Sequence, residues 1–521
     1  MLRLDRTTNT FRNLGFGFLH KTAALLFPFL IRTVLIYRLG TEYLGLGSLF
    51  SSVLQVLNLA ELGFGSAVVY CLYRPIAEQD LPLIRSYLHL FRKIYRLIGL
   101  AILAAGLLLI PLLPHLIKDP TLPDGLDLRF CYLFFLSDTV ISYLLFGYKT
   151  AIPQALQRQD LLSRIDFWIV TAKCLCQTAS LLLFGSFYLY LLITPLMTVI
   201  RNLAVSHLVG SRYPEFLPKR GLPRSPLTDE AKKDLRTRVS GIFIGNLCIT
   251  SRNGIDSICL TAFVGLSAAA IYNNYYVLMH AVVVVSMVFC QSMIPGLGNS
   301  IVTQSREKNL QDMRRLEFAY MLLAGWAAAC LLCLFQPFMF LWMGPKRMLG
   351  MREVVLFTVY FYLLKMGDMR WIYSEAAGLW WDCRYVTVFE AFLNITLNLL
   401  LGRFFGLVGI LLATVLSMLF VNFLMTPRFL FSRYFPRSEL KPYFLSHLRY
   451  FAASFAVAVT VYLCCHFAAP DQPVLKFLVS GAFCLLIPPA IYYLFYRHTE
   501  NYKFWSDWLK ARLLKRKRRS S

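Results

Sequence analysis

The chain has 521 residues, 57% of them hydrophobic, with a net charge of +25 and a mean hydropathy of +0.57. Soluble domains hold about 45–50% apolar residues even when glycine is counted, so a soluble globular protein is excluded. The positive charge lies in short segments between apolar stretches, which argues against nucleic-acid binding and for a multi-pass membrane protein.

A membrane-spanning helix needs about 20 apolar residues. On that criterion about fourteen spans are expected, over 13–37, 43–70, 92–114, 128–149, 162–184, 187–209, 239–264, 268–298, 317–343, 354–378, 384–403, 406–430, 446–468 and 474–496. The fold class expected is therefore all-α and polytopic. The first span follows the basic start Arg3, Arg6 and Arg12 and is too long for the apolar core of a signal peptide.

Many of these spans carry ionisable or polar residues. At 100° per residue, Lys21, Pro28 and Arg32 share a side of the first span. Ser51, Gln55 and Asn58 form a stripe in the second, with Glu61 at its edge, and Asp138 falls in the fourth. In the fifth, Asp166, Lys173 and Gln177 align. The seventh aligns Asn246, Thr250, Asn253 and Ser257, extended by Arg252 and Asp256 at i, i+4. The tenth puts Lys365, Asp368 and Glu375 on one side, and the eleventh does so with Glu390, Asn394 and Asn398. A charge at bilayer depth costs roughly 2.5–3.5 kcal/mol on insertion scales, so these groups should face protein or water. Helix–helix bridging accounts for any single pair. Six polar wedges together point to a hydrated cavity and hence to transport.

Lys and Arg concentrate in the segments Arg74–Arg96, Arg212–Arg238, Arg306–Arg315 and Arg428–Arg449, which the positive-inside rule places in the cytoplasm together with both termini. The segment Met343–Arg352, with Lys346, Arg347 and Arg352, is the exception on the outer side. The proline-rich loop Ser211–Arg238 has six spans before it and eight after. The organisation expected is an N-terminal lobe over 1–210 (spans 1–6), a cytoplasmic linker over 211–238, a C-terminal lobe over 239–432 (spans 7–12), spans 13 and 14 over 446–497, and a basic cytoplasmic tail over 498–521. The tail run Lys515–Arg519 should lie on anionic lipid. A short repeat supports two parallel lobes: Gly40-Thr-Glu-Tyr-Leu-Gly45-Leu46 follows the first span and Gly265-Leu-Ser-Ala-Ala-Ala270-Ile271 the seventh.

Catalytic and metal chemistry find no support in the sequence. The eight His are scattered, only His280 looks deep, and no GxxxxGK[ST] loop is present. Cys174/Cys176, Cys330/Cys333 and Cys464/Cys465 lie in apolar spans without a histidine at metal-ligand spacing, so packing is their expected role. No cofactor is expected.

The runs Asn13-Leu-Gly15, Phe27-Pro28-Phe29-Leu30-Ile31-Arg32-Thr33, Leu39-Gly40-Thr-Glu-Tyr43-Leu44-Gly45-Leu46 and Leu57-Asn58-Leu59-Ala60-Glu61-Leu62-Gly63 resemble the bacterial polysaccharide transporters of the multidrug/oligosaccharidyl-lipid/polysaccharide (MOP) flippase superfamily. Asp256, Gly265-Leu266-Ser267 and Ile271-Tyr272-Asn273-Asn274-Tyr275 are similar to the same family's seventh-to-eighth span region. The resemblance implies two six-helix lobes around a central cavity plus two extra helices. It implies export of a polyprenyl-pyrophosphate-linked oligosaccharide across the bacterial cytoplasmic membrane by alternating access, driven by H+ or Na+ or by the membrane potential, alongside cell-surface glycan assembly proteins. Lys21, Arg32 and Arg252 would then contact the headgroup, because guanidinium offers bidentate donors to phosphate. Glu61, Asp166, Lys173, Asn246, Asn253, Asp256, Lys365, Asp368 and Glu390 would line the cavity or carry a coupling ion. A cation or drug antiporter of the same superfamily is the alternative, and would need a predominantly acidic cavity. A membrane polysaccharide polymerase or acyltransferase would need a convergent catalytic group, and a non-transporting scaffold would not need the charged spans.

Overall fold

The computed structural model describes residues 6–58, 78–116, 125–156, 158–217, 254–377 and 384–507, with positions 69, 71–73, 75–76, 229, 379 and 510. Among the described residues the chain is helical and contains no strand. Backbone N–H and C=O groups have no water partner in hydrocarbon, so a chain with these apolar stretches satisfies them within helices.

Among the described residues, six longer helices precede the central segment: α1 (Arg6–Arg38), α2 (Thr41–Leu57), α3 (Leu81–Leu109), α4 (Leu128–Leu144), α5 (Gln159–Leu183) and α6 (Phe187–Arg212). Then come the short α7 (Gly254–Phe263), α8 (Leu266–Thr303), α9 (Arg306–Met343) and α10 (Met351–Met366), which continues past Gly367 as Asp368–Ala376. The last four are α11 (384–405), α12 (407–433), α13 (Leu440–Ala468) and α14 (Pro473–Tyr496). The chain is thus an all-α polytopic membrane protein. Large apolar side chains such as Leu108, Leu183, Phe404, Phe467 and Leu486 stand exposed along these helices, where lipid takes the place of a protein core.

The helix starts have local causes. Asp80 accepts from the Leu83 amide at the head of α3, Asp127 from the Arg129 amide at α4, and Ser305 from the Lys308 amide at α9. A sharp turn separates α5 from α6: Gly185 takes φ 58°, and Ser186 caps the second helix. Past α4 the chain bends by 58° at Phe146, itself in the left-handed region, into the short helix Ala151–Ala155.

Residues 384–433 form an unbroken apolar helical stretch, yet they are two helices folded back on one another. Gly406 has φ 56° and ψ −131°, and Asn394 donates to Thr414 and Ser417 at 3.2 and 3.3 Å. A straight helix would separate positions 394 and 417 by about 35 Å. The reversal agrees with separate eleventh and twelfth spans.

The two repeat-like turns have the same backbone. Gly40 adopts φ 119° and Gly265 φ 121°, a region open to glycine and closed to most side chains. The turns also meet. Ser267 donates to the Glu42 carboxylate at 2.8 Å, and a Cβ on Gly45 would lie 2.4 Å from the Leu266 carbonyl. Among the cations of Met343–Arg352, Arg347 has a local role: it donates to the Met343 carbonyl and so covers the open C-terminus of α9.

By its internal contacts the chain divides into two compact units, Met1–Ala270 and Ile271–Ser521. In the second, Leu310, Met313 and Tyr320 of α9 pack with Met369, Ile372 and Tyr373 after α10, Leu430 and Phe431 of α12, and Tyr443 of α13. Cys330 and Cys333 of α9 meet Cys465 of α13 and Cys484 of α14 in the same unit, all as free thiols.

Candidate functional site

In the first unit, α1 lies along α5, and α5 and α6 pack against each other with α4 beside α6. Their polar residues meet in successive levels. Gln177 of α5 donates to the Tyr190 carbonyl and the Thr194 hydroxyl of α6, at 3.2 and 3.1 Å. Arg32 of α1 lies within electrostatic reach of the Tyr190 hydroxyl. One turn along α5, Lys173 faces Asp138 of α4, whose carboxylate also accepts from Thr198 of α6. Two turns further, Asp166 pairs with Arg201 of α6 at 2.6 Å, with a second contact at 3.4 Å. Asn202 beside it donates to the Ile141 carbonyl of α4. One turn on along α6, Ser206 accepts from Lys149, which sits just past the Phe146 bend with its ammonium 4.6 Å from that ring.

The result is a polar seam along α4, α5 and α6, reached by Arg32 from α1. Positions 166, 173 and 177 of α5 and 194, 198, 201, 202 and 206 of α6 recur every three or four residues or at their sums, which keeps them on one face of each helix. Among the described residues the seam holds Arg32, Lys149, Lys173 and Arg201 against Asp138 and Asp166, so its formal charge is positive. Ionisable residues at this depth are costly and mark substrate or ion paths by default. Guanidinium and ammonium donors at several levels suit an oxyanion that is passed along a helix face.

The second unit holds a different arrangement. Lys365 of α10 is 1% exposed and donates to Asp368 at 2.6 Å, and Tyr320 of α9 donates to the same carboxylate. Two residues on, the buried Arg370 donates to the Tyr443 hydroxyl of α13 at 3.2 Å and to Asn422 of α12. Glu317 of α9 faces His447 of α13 at 3.2 Å, both buried. Asn394 and Asn398 are fully buried; Asn394 bridges the α11–α12 reversal and Asn398 donates to it along α11, a packing role, while Glu390 is half-buried.

Of the residues expected at the site, Arg32, Asp166 and Lys173 are brought together in the first seam. Lys365 and Asp368 pair with each other. Asp256 is buried early in α7, where Cys259 feels its charge. Lys21 is exposed on α1 and takes no place in the seam. Glu61, Asn246, Arg252 and Asn253 lie outside the described residues. Sequence reasoning missed Lys149, Arg201, Glu317, Arg370 and His447. Arg201 had a readable signal, since it is the one charge well inside the sixth span and stands seven residues from Thr194.

Solved structures with this helical arrangement include the lipid II flippase MurJ in an inward closed conformation, with a TM-score of 0.63 at 14% identity over 92% of this chain and 98% of that one. An inward-facing multidrug resistance MATE family transporter of the MOP superfamily matches with a TM-score of 0.61 at 13% identity, over 81% of this chain and 95% of that one. A MOP superfamily transporter from Pyrococcus furiosus matches at 0.56 and 14% identity, over 84% and 98% of the two chains. The chain shares the helical fold of these structures. No protein-family model matches the sequence, and no curated protein matches it significantly. These MOP-fold neighbours are transporters, one of them a lipid flippase and others multidrug transporters.

Proposed function

We propose that this chain is an exporter of a polyprenyl-pyrophosphate-linked oligosaccharide, moving it across the bacterial cytoplasmic membrane by alternating access for cell-surface polysaccharide synthesis, with both termini cytoplasmic. The observation that carries the reading is the basic seam of the first unit. Arg32, Lys173, Arg201 and Lys149 are spaced along helix faces at depths where a cation is otherwise avoided. A pyrophosphate offers oxygens to such donors at each level, and the paired Asp138 and Asp166 keep the donors oriented when no headgroup is bound. The shared fold with a lipid flippase supports the same substrate class.

A cationic-drug antiporter is the second reading, favoured by the multidrug transporters among the structural neighbours. The seam argues against it, since basic side chains repel a cation at the levels where it would have to pause. The discriminating experiment is binding of a lipid-linked pyrophosphate against cationic dyes by the purified full chain. Dye binding that survives while the pyrophosphate lipid fails to bind would reverse the assignment. In cells, Arg32→Ala is expected to abolish surface glycan with normal protein levels, and normal glycan would remove Arg32 from the headgroup path.

A further inference from the structure

The seam does not use the ionisable cluster of the second unit, and that cluster contains an expensive arrangement. Glu317 is 2% exposed and His447 is fully buried, yet they approach to 3.2 Å between Oε1 and Nε2 without satisfying each other in hydrogen-bond geometry. His447 Nδ1 also has no partner. A carboxylate held beside an imidazole in the protein interior is paid for only if the pair does something a Leu–Phe contact would not.

We propose that Glu317 and His447 form a proton-binding site, which takes up a proton from the side where α9 begins and α14 ends. The inference rests on reading the chain as a transporter, which needs an energy source. The chemistry of the pair selects the ligand. Imidazole is the side chain that changes charge near neutral pH, and a carboxylate beside it favours the protonated ring. A metal ion would need a richer shell, and no grouping of three or more His, Cys, Asp or Glu suited to one occurs among the described residues. The ring of His447 is enclosed by aromatic groups instead, with Tyr443 at 4.4 Å, Phe423 at 5.7 Å and Tyr450 at 5.9 Å.

The surroundings provide a path and a charge frame. Glu317 lines a cavity of about 40 Å³ together with Arg314, Ser446, Tyr450 and Asn501. That is room for water, which needs about 10–15 Å³ of such space. Arg314 lies near the start of α9 and pairs with Glu439 just ahead of α13, while Asn501 follows α14, so the cavity opens toward these helix ends. Other charged or titratable groups face the pair from each packed element. Asp312 and Arg314 come from α9, Tyr362 from α10, Arg370 and Tyr373 from the helix after it, Tyr434 from the end of α12, Tyr443 and Tyr450 from α13, and Tyr496 from α14. Arg370 donates to the Tyr443 hydroxyl, which also lies within electrostatic reach of Glu317. Protonation then adds one positive charge between α9 and α13 and allows Nε2–H to donate to Oε1. A charge change at that contact is the kind of event that repacks two helices.

The test uses the full chain in lipid vesicles with isotope-labelled histidine, read by solid-state NMR from about pH 8 to pH 5. One imidazole signal, absent from His447→Gln, is expected to pass from neutral to cationic. Glu317→Gln should move its midpoint down by about one pH unit or more, because the carboxylate that favours the cation is gone. Glu317→Asp keeps the charge and should restore most of the midpoint, and it serves alone where Glu317→Gln does not fold. A position-447 signal that stays neutral throughout, or a midpoint that neither Glu317 variant moves, overturns the proposal. The measurement involves no transported substrate, so a failed oligosaccharide assignment leaves it readable. Conversely, export can be intact while this site proves inert.

Discussion

At the residue scale, burial decides which ion pairs matter for stability and which for function. Lys365 and Asp368 are nearly inaccessible and hold each other one turn apart. Asp368→Asn therefore leaves an uncompensated ammonium in the interior and should cost about 3–5 kcal/mol. A Lys365→Met/Asp368→Asn double variant should recover much of that loss, and thermal unfolding of the solubilised protein compares them. The Asp166–Arg201 pair is as short but leaves its side chains 17% and 32% exposed. Arg201→Ala is expected to cost less than Asp368→Asn, because the Asp166 it leaves behind keeps part of its surface accessible. Its effect should fall on export, read as surface glycan at matched protein level. Equal losses of stability in the two cases would contradict the division of roles. Asp166 and Lys173 were legible from helical spacing alone. Their partners Asp138, Thr198 and Arg201 come from other helices, and no spacing within one span reports who faces it.

At the element scale, the hinge points are glycines whose backbones other residues avoid. Gly406 reverses the chain at φ 56° and ψ −131°, and α11 and α12 depend on that reversal to join Asn394 to Thr414 and Ser417. Gly406→Ala should cost about 1–3 kcal/mol in strain. Asn394→Ala should cost less, about 0.6–2 kcal/mol, as expected of one hydrogen-bonding group between membrane helices. Both are read as shifts in thermal unfolding, and a harmless Gly406→Ala would mean that the reversal has another cause. The apolar pattern already separates spans at 384–403 and 406–430, and the cross-contacts show how the second folds back along the first. The Gly40 and Gly265 turns show the opposite balance. Their repeat was visible in sequence, and the matching backbone angles supply the reason for both glycines.

At the scale of the whole molecule, the positions of the cations predict which side of the membrane each turn faces. Turns such as Gly185-Ser186 are short and free of Lys and Arg, whereas the first turns of α9 carry Arg306, Lys308, Arg314 and Arg315, and the stretch from α12 into α13 carries Arg433, Arg437 and Lys441. In a cysteine-depleted chain, Ser186→Cys is expected to react with an impermeant maleimide on intact cells. Ser305→Cys should react only after permeabilisation. The reverse pattern would invert the orientation and, with it, the direction of export.

What the sequence by itself determined is the solvent. Its apolar lengths demand a membrane, its backbone must then be helical, and its in-span charges announce polar faces, because these follow from hydropathy and the 3.6-residue repeat. What only the tertiary structure decided is partnership. It joined Asp166 to Arg201 and Asp138 to Thr198 within one unit, and set Glu317 against His447 in the other. Side chains 35 to 130 positions apart meet through helix packing, and the free energy of that packing is spread over many contacts, none of which is written in the spacing of a single helix.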